Sequence, residues 1–337
     1  MPKDNNMDRL ILAIETSCDE TAAAVTRGRQ VLGSAVYTQP EHEKYGGVVP
    51  EIASRNHIMK IPYIVDEALR SAGRSFDDLD AIAVTDGPGL VGALLVGVSY
   101  AKALAYYLSV PLIPVHHIQG HICSLYLSHQ ELVPPFLCLV VSGGHSHIVI
   151  VEDYGKYRLI GKTRDDAVGE AFDKTARALE LGYPGGPKLE QMAREGRPIY
   201  QYPRGFKGET HLDFTFSGLK TAVINHMHNM NQKGEGYNKA DIAASFQAEA
   251  VAFLADNTFE AAMREGITRI GVAGGVSANG ALRGVFAERA EKAGCSLYLP
   301  ELRYCTDNAA MIGCAASFEK PCTEPLRLNA NPSKLLF

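Results

Sequence analysis

The order strand, turn, strand, strand, helix occurs twice in this chain of 337 residues, and that recurrence limits the possible folds more than any other feature. In the first pass, residues 10–14 are a short apolar strand, and residues 22–25 and 31–36 look like its antiparallel continuations. Ile52, Ile58, Ile61, Ile64, Val65, Ala68 and Leu69 then recur at helical spacing over residues 50–72, with Gly73 just past the end. A strand at 81–85, an Asp86-Gly-Pro-Gly89 turn, a long apolar helix to 108, a strand at 112–115 and a histidine-rich helix complete this half. The pattern restarts with strands at 136–141, 148–151 and 157–160. Helices are predicted at 168–181, 187–194 and 240–265, followed by a strand at 270–273, a helix at 279–293, a strand at 297–299 and a last helix from Asn308.

A repeated order of this kind predicts an α/β fold of two similar lobes with a nucleotide cleft between them. The expected division is an N-terminal lobe over 1–116, with a helix of about 307–325 packing back near it, and a C-terminal lobe over 117–325. Pro134-Pro135 marks a seam, residues 196–239 read as a polar insertion in the second lobe, and 326–337 is a tail. A 46% hydrophobic composition suffices for two cores. The net charge of −5 excludes a protein that wraps nucleic acid by bulk electrostatics, so RNA must meet a local basic patch or a partner. Arg55, Lys174, Arg177, Arg204, Lys207 and Lys220 are the candidate phosphate contacts. Seven scattered cysteines without a CxxC pair fit a reducing compartment. Residues 1–8 lack a signal-peptide core, and the apolar run 90–108 carries Lys102 and many small residues, which reads as a buried helix. A soluble cytoplasmic protein without a membrane span is expected.

Four segments stand at strand ends, where α/β proteins bind ligands. Glu15-Thr-Ser-Cys-Asp-Glu-Thr21 sets acids and hydroxyls in a tight turn that can hold phosphate, a metal or a transferable proton, or can simply be a polar hairpin. Val140-Val-Ser-Gly-Gly-His145 lies at the matching point of the second half, where glycines let backbone N–H groups approach a phosphate. Gly271-Val-Ala-Gly-Gly-Val-Ser-Ala-Asn-Gly-Ala-Leu-Arg283 runs a strand into a helix N-terminus that favours polar or anionic groups of a nucleotide. His117-Ile-Gln-Gly-His121 places two histidines four apart, on one helix face, where they can share a divalent ion. Asp307 is the best-placed acid for a third ligand, whereas His116 should point about 100° away around the helix. Ile118 stands where a zincin protease needs its glutamate, which argues against a protease. Asp166, Glu170 and Asp173 recur at helical spacing, as a polar face toward ligand or toward solvent.

Taken in order, these segments resemble one family. Ile14-Glu-Thr-Ser-Cys-Asp-Glu-Thr21, Tyr45-Gly-Gly-Val-Val-Pro-Glu51, Val141-Ser-Gly-Gly-His145, Gly169-Glu-Ala-Phe-Asp-Lys174, Tyr183-Pro-Gly-Gly186, Phe214-Thr-Phe-Ser-Gly-Leu-Lys220 and Cys305-Thr-Asp-Asn308 match signatures of the TsaD family, the tRNA threonylcarbamoyladenosine synthases. The resemblance implies a two-lobed actin/Hsp70/sugar-kinase (ASKHA) fold. It implies transfer of a threonylcarbamoyl group from threonylcarbamoyl-AMP to N6 of the adenosine just 3′ of the anticodon, in tRNAs reading codons that begin with adenine, with release of AMP. It implies His117, His121 and Asp307 as ligands of one divalent metal, Fe²⁺ first and Zn²⁺ second. Val140, Val141, Ser142, Gly143, Gly144, Asp173, Gly186, Glu190 and Asn279 would line the adenylate. Gln119 stands where many relatives carry Glu. Asp19 is the expected catalytic group, aiding removal of the N6 proton or orienting the base. The expected partners are tRNA, a TsaB-like paralogue, a TsaE-like ATPase and a TsaC-like enzyme supplying the adenylate. An actin-like small-molecule kinase or ATPase is the enzymatic alternative, and a nucleotide-gated scaffold the non-enzymatic one.

Overall fold

The computed structural model describes residues 6–206 and 211–336, so Lys207 of the insertion lies outside the described residues. The chain divides into two compact units. The first comprises residues 1–132, 153–156 and 300–337, and the second 133–152 and 157–299. This division differs from a boundary at 116/117. The break follows Leu132, beside Pro134, and the histidine-rich helix stays with the first unit.

The first unit is built on a five-stranded sheet of order β3-β2-β1-β4-β5. Its strands are β1 (Leu10–Glu15), β2 (Glu20–Arg27), β3 (Gln30–Thr38), β4 (Ala81–Gly87) and β5 (Leu112–His116). The first three form an antiparallel meander, and β1, β4 and β5 run parallel. All six residues of β1 are buried, as expected of a strand covered on both faces. Leu10, Leu12 and Ile14 share a core with Ile61, Val65 and Leu69 of α1 (Pro50–Ala72) and Val98 and Ala101 of α2 (Val91–Leu108). Helix α9 (Ala309–Ala316) also packs on β1 and β2, and α3 (His117–Ser128) packs on α9.

Among the described residues, α2 is the helix long and apolar enough to cross a membrane by length and composition. It is not buried all round. Ala93, Leu94, Gly97, Val98, Ala101 and Ala105 face the core, while Val91, Leu95, Tyr106 and Tyr107 are exposed. The last helix is also shorter than expected, ending at Ala316.

The second unit repeats the plan. Its sheet has the order β10-β9-β6-β7-β8, with β6 (Phe136–Val141), β7 (Ser146–Asp153), β8 (Lys156–Lys162), β9 (Arg269–Ala273) and β10 (Ser296–Tyr298). Helices α4 (Val168–Ala178), α5 (Gly185–Ala193), α7 (Lys239–Glu265) and α8 (Gly280–Ala293) surround a core that includes Phe172, Phe246, Phe253 and Phe286. The polar insertion carries a helix of its own, α6 (Ser217–Lys233). Its buried residues are Leu219, Val223 and Met227, spaced four apart along a largely polar stretch, so its amphipathic signal is faint.

Candidate active site

The parallel strands β4 and β5 end beside the turn that follows β1, and α3 starts directly from β5. This start puts His117 and His121 on successive turns of one helix face, with ring centroids 4.7 Å apart. Asp307, from the segment that leads into α9, closes the group. Its Oδ1 lies 3.5 Å from His117 Nε2 and 3.3 Å from His121 Nε2. One ligand atom from each of the three residues lies within 4.8 Å of the others. His121 is fully buried, and neither of its ring nitrogens makes a hydrogen bond. A buried imidazole without hydrogen bonds, facing a carboxylate and a second imidazole, has the chemistry of a metal-ligand set. The cluster suits a single metal ion.

The turn Glu15–Thr21 supplies the surroundings. Nδ1 of His117 donates to Glu15 Oε2 at 3.0 Å and lies 3.1 Å from Ser17 Oγ. That bond directs Nε2 at Asp307 and fixes the tautomer a metal ligand needs. Glu15 is itself held by Thr85 Oγ1, which donates to Oε2 at 2.6 Å, and by the N–H of Ser17. Burial would raise the Glu15 carboxyl, but the adjoining His117 outweighs it and the net shift is downward. Burial likewise opposes protonation of His117, yet Asp307 and Glu15 prevail and lift its pKa to about 9. Glu20 is pushed well above the usual carboxylate range, first by burial, then by Asp307 and Asp19. Burial, Asp19 and Asp307 do the same to the Cys18 thiol. Asp19 and Asp307 thus act on the same neighbours, and their combined negative field is one that a divalent cation would relieve.

His116 does not sit on the helix as expected. It is the extended residue capping α3, with Nδ1 accepting from Ile118 N at 3.1 Å and Nε2 donating to Lys334 O at 3.1 Å. Gln119 donates to Glu319 at 2.6 Å and is not part of the ligand cluster.

The second unit gathers the other predicted residues. Val140 and Val141 end β6, and Ser142 N donates to His145 O at 2.9 Å to close the turn. Gly143 and Gly144 are exposed, with open space where a Cβ would stand. The turn is gripped from behind. A Cβ on Gly274, whose φ is +93°, would lie 2.3 Å from Val141 O, and one on Gly169 would lie 2.5 Å from Ser142 O. Asp173 Oδ1 accepts from the N–H groups of Gly185 and Gly186 at 2.9 and 3.1 Å, capping α5. Glu190 Oε1 accepts from Gly280 N at 3.0 Å and from Arg194 at 2.7 Å. Asn279 caps α8 through Leu282 N and donates to Gln247 at 2.8 Å. Each of these polar residues therefore has a local structural bond alongside any contact to a nucleotide. Asp166 is bound by Lys174 and Lys220, Glu170 by Lys174, and Arg204 by Glu249 and Asp256, so these basic residues are already neutralised. Exposed Arg55 pairs with Glu51.

Sequence reasoning missed His57, buried on α1, and the specific roles of Glu15 and Thr85. Glu15 stood inside a recognised turn. His57 carried no spacing signal, being a single histidine within an apolar periodicity.

Two sheets of the same strand order, each with helices packed against it, are the plan of an α/β fold of the actin/Hsp70/sugar-kinase type. Solved structures agree on the fold. HypF of T. kodakarensis superimposes with a TM-score of 0.64 at 16% identity, covering 93% of this chain and 48% of that one, so the chain spans about half of HypF. Component A of the Acidaminococcus fermentans (R)-2-hydroxyglutaryl-CoA dehydratase gives 0.51 at 15% identity, covering 92% and 95%. A profile of the TsaD family, tRNA N6-adenosine threonylcarbamoyltransferase, matches residues 30–314. Proteins of that name from Clostridium perfringens (strain SM101) and Clostridium kluyveri (strain ATCC 8527) are 54% and 53% identical, over 96% and 97% of this chain and 97% of each relative. The chain belongs to the TsaD family, and its activity is transfer of a threonylcarbamoyl group to N6 of adenosine in tRNA.

Proposed function

We propose that the donor is threonylcarbamoyl-AMP and the acceptor the adenosine just 3′ of the anticodon. The amine N6 attacks the carbamoyl carbon, a C–N bond forms, the C–O bond to the phosphate breaks, and AMP leaves. A mixed anhydride is already activated, so catalysis rests on positioning and on handling charge. Asp19 takes the proton lost from N6, directly or through one water. His117, His121 and Asp307 would hold one divalent ion, Fe²⁺ with Zn²⁺ as the alternative, which would supply Lewis-acid stabilisation of phosphate or carbamoyl oxygens. Glu15 orients His117, and Thr85 orients Glu15. The backbone of 140–144, with Asp173, Gly186, Glu190 and Asn279, binds the adenylate.

The observation that carries this reading is the His117/His121/Asp307 cluster set against the Asp19 turn. A histidine-rich ligand set is unlike the carboxylate and phosphate Mg²⁺ site of a small-molecule kinase. A TsaB-like paralogue, a TsaE-like ATPase and a TsaC-like adenylate source complete the system, in the cytoplasm. The exposed Ile58, Met59 and Tyr63 of α1 offer the paralogue an apolar face.

The test is single-turnover transfer from purified threonylcarbamoyl-AMP to unmodified tRNA, read by mass spectrometry of digested RNA. Asp19→Asn is expected to slow transfer about 100-fold or more, the scale of general-base catalysis. Transfer at the parental rate would remove Asp19 from the chemistry.

A further inference from the structure

We infer that His57 is a positioning residue for the transfer, holding from α1 the peptide that presents Asp19; this rests on Asp19 being the proton acceptor proposed above. The His57 side chain is completely buried. Its Nε2 lies 2.8 Å from the carbonyl oxygen of Cys18 and its Nδ1 lies 2.8 Å from Thr21 Oγ1. A carbonyl can only accept, so Nε2 carries the hydrogen, and in the neutral ring Nδ1 accepts from the Thr21 hydroxyl. Burial lowers the basicity of the ring, in keeping with that neutral form. One imidazole therefore bridges both sides of Asp19.

The rest of the turn shows why this bridge matters. Upstream, the Ser17 N–H is bound by Glu15 and the Ser17 carbonyl accepts from Leu90 N at 2.8 Å. Thr16 Oγ1 donates to Ala93 O at 2.9 Å. Downstream, the chain enters β2 at Glu20 and is fixed by its ladder with β1 and β3. The Cys18–Asp19 peptide lies between these two anchored ends, and its carbonyl is held by His57. The support is rigid in turn. Gln39 donates to Ala53 O at 3.2 Å and accepts from Asn56 at 3.1 Å, while buried His42 donates to Gln39 at 3.1 Å and accepts from Val49 N. This polar network ties the loop before α1 to the turn of the helix that carries His57. Loss of the Nε2 donor frees the Cys18 carbonyl to rotate, and Asp19 moves with it. A displacement of about 1 Å at a reacting group costs on the order of 100-fold in rate.

The amide of glutamine reaches the place of Nε2, and that of asparagine the place of Nδ1. The experiment compares His57→Ala, His57→Gln and His57→Asn with the parent, each with its partner subunits, threonylcarbamoyl-AMP and tRNA. Transfer rate at saturating donor, donor KM and bound metal are measured for each. His57→Ala is expected to lose about 100-fold in kcat, with donor KM within about threefold and metal content unchanged. His57→Gln should recover at least about tenfold of that loss and His57→Asn should not. The Gln against Asn contrast still decides the matter if the alanine variant folds poorly. Full kcat in His57→Ala, equal rates for Gln and Asn, or a loss confined to donor KM overturns the inference. Asp19→Asn is run in parallel. If it keeps full activity, the proton-acceptor reading fails whatever His57 does. If it is impaired while His57→Ala is not, only the positioning role fails. A double variant no slower than Asp19→Asn alone is the result expected if His57 acts through Asp19.

Discussion

At His117 two carboxylates compete for one ring. Glu15 accepts at Nδ1 and Asp307 faces Nε2, and together they overcome burial to raise the pKa to about 9. Without metal the ring is therefore a cation at neutral pH, and an entering ion must displace its proton. The folded value lies above the ordinary 6.5, so the stabilisation is complete below about pH 6.5 and is lost as pH rises through about 9. Chelator-treated protein should consequently lose Tm across that window more steeply than a His117→Gln variant treated alike. Equal slopes in scanning calorimetry would show that the His117 charge contributes nothing. Metal-loaded protein, whose ring carries no such proton, should lack the slope.

At the level of elements, the turn after β6 depends on the start of α4 and the end of β9, which come close enough to exclude a methyl group. Gly274 is the stricter case, because a side chain there meets Val141 O and must also accept a φ of +93°. Gly274→Ala should therefore destabilise the protein by about 1–3 kcal/mol and weaken AMP binding. Urea denaturation with titration of AMP measures both, and an alanine variant with parental values would mean the turn is not held from behind. Such turns were legible in the sequence, because apolar strands running into Gly-Gly leave few alternatives. So were β1, β2, β4 and β5, whose residues are buried enough to read as largely apolar runs, whereas β3 is mostly exposed or half-buried. Helix α6 was not legible, since it has three buried residues in a polar stretch. His116 was misread because its place depends on the last residues of the chain. His117, His121 and Asp307, grouped from the sequence, do lie together, but Glu15 and His57 act through hydrogen bonds that no spacing encodes.

Across the whole molecule, the duplicated strand order was visible from periodicity alone, while the return of the chain end was not. Residues 328–334 lie along the ends of β4 and β5, where α3 and its histidines begin. Asn331 N donates to Asp86 O at 2.7 Å, Gly89 N to Pro332 O at 3.2 Å, and Lys102 to Leu328 O at 2.9 Å. Lys334 reaches both carboxylate oxygens of Asp86, at 2.6 and 2.8 Å, across 248 residues of sequence. Asp86 is nearly buried, with a side chain 8% exposed against 28% for Lys334. Burial raises the Asp86 carboxyl and Lys334 only partly offsets it, so the carboxylate leans on this one partner. Removing the partner strands a charge, which in a fully buried pair costs about 3–5 kcal/mol and here, with Lys334 partly solvated, about 1–3 kcal/mol. Lys334→Met is thus expected to lower the urea midpoint, and adding Asp86→Asn should restore part of the loss, because no ion is then left without its counterion. If the double variant is less stable than Lys334→Met by the full cost of Asp86→Asn alone, the two residues are not coupled, and the tail is held by its backbone bonds rather than by this pair.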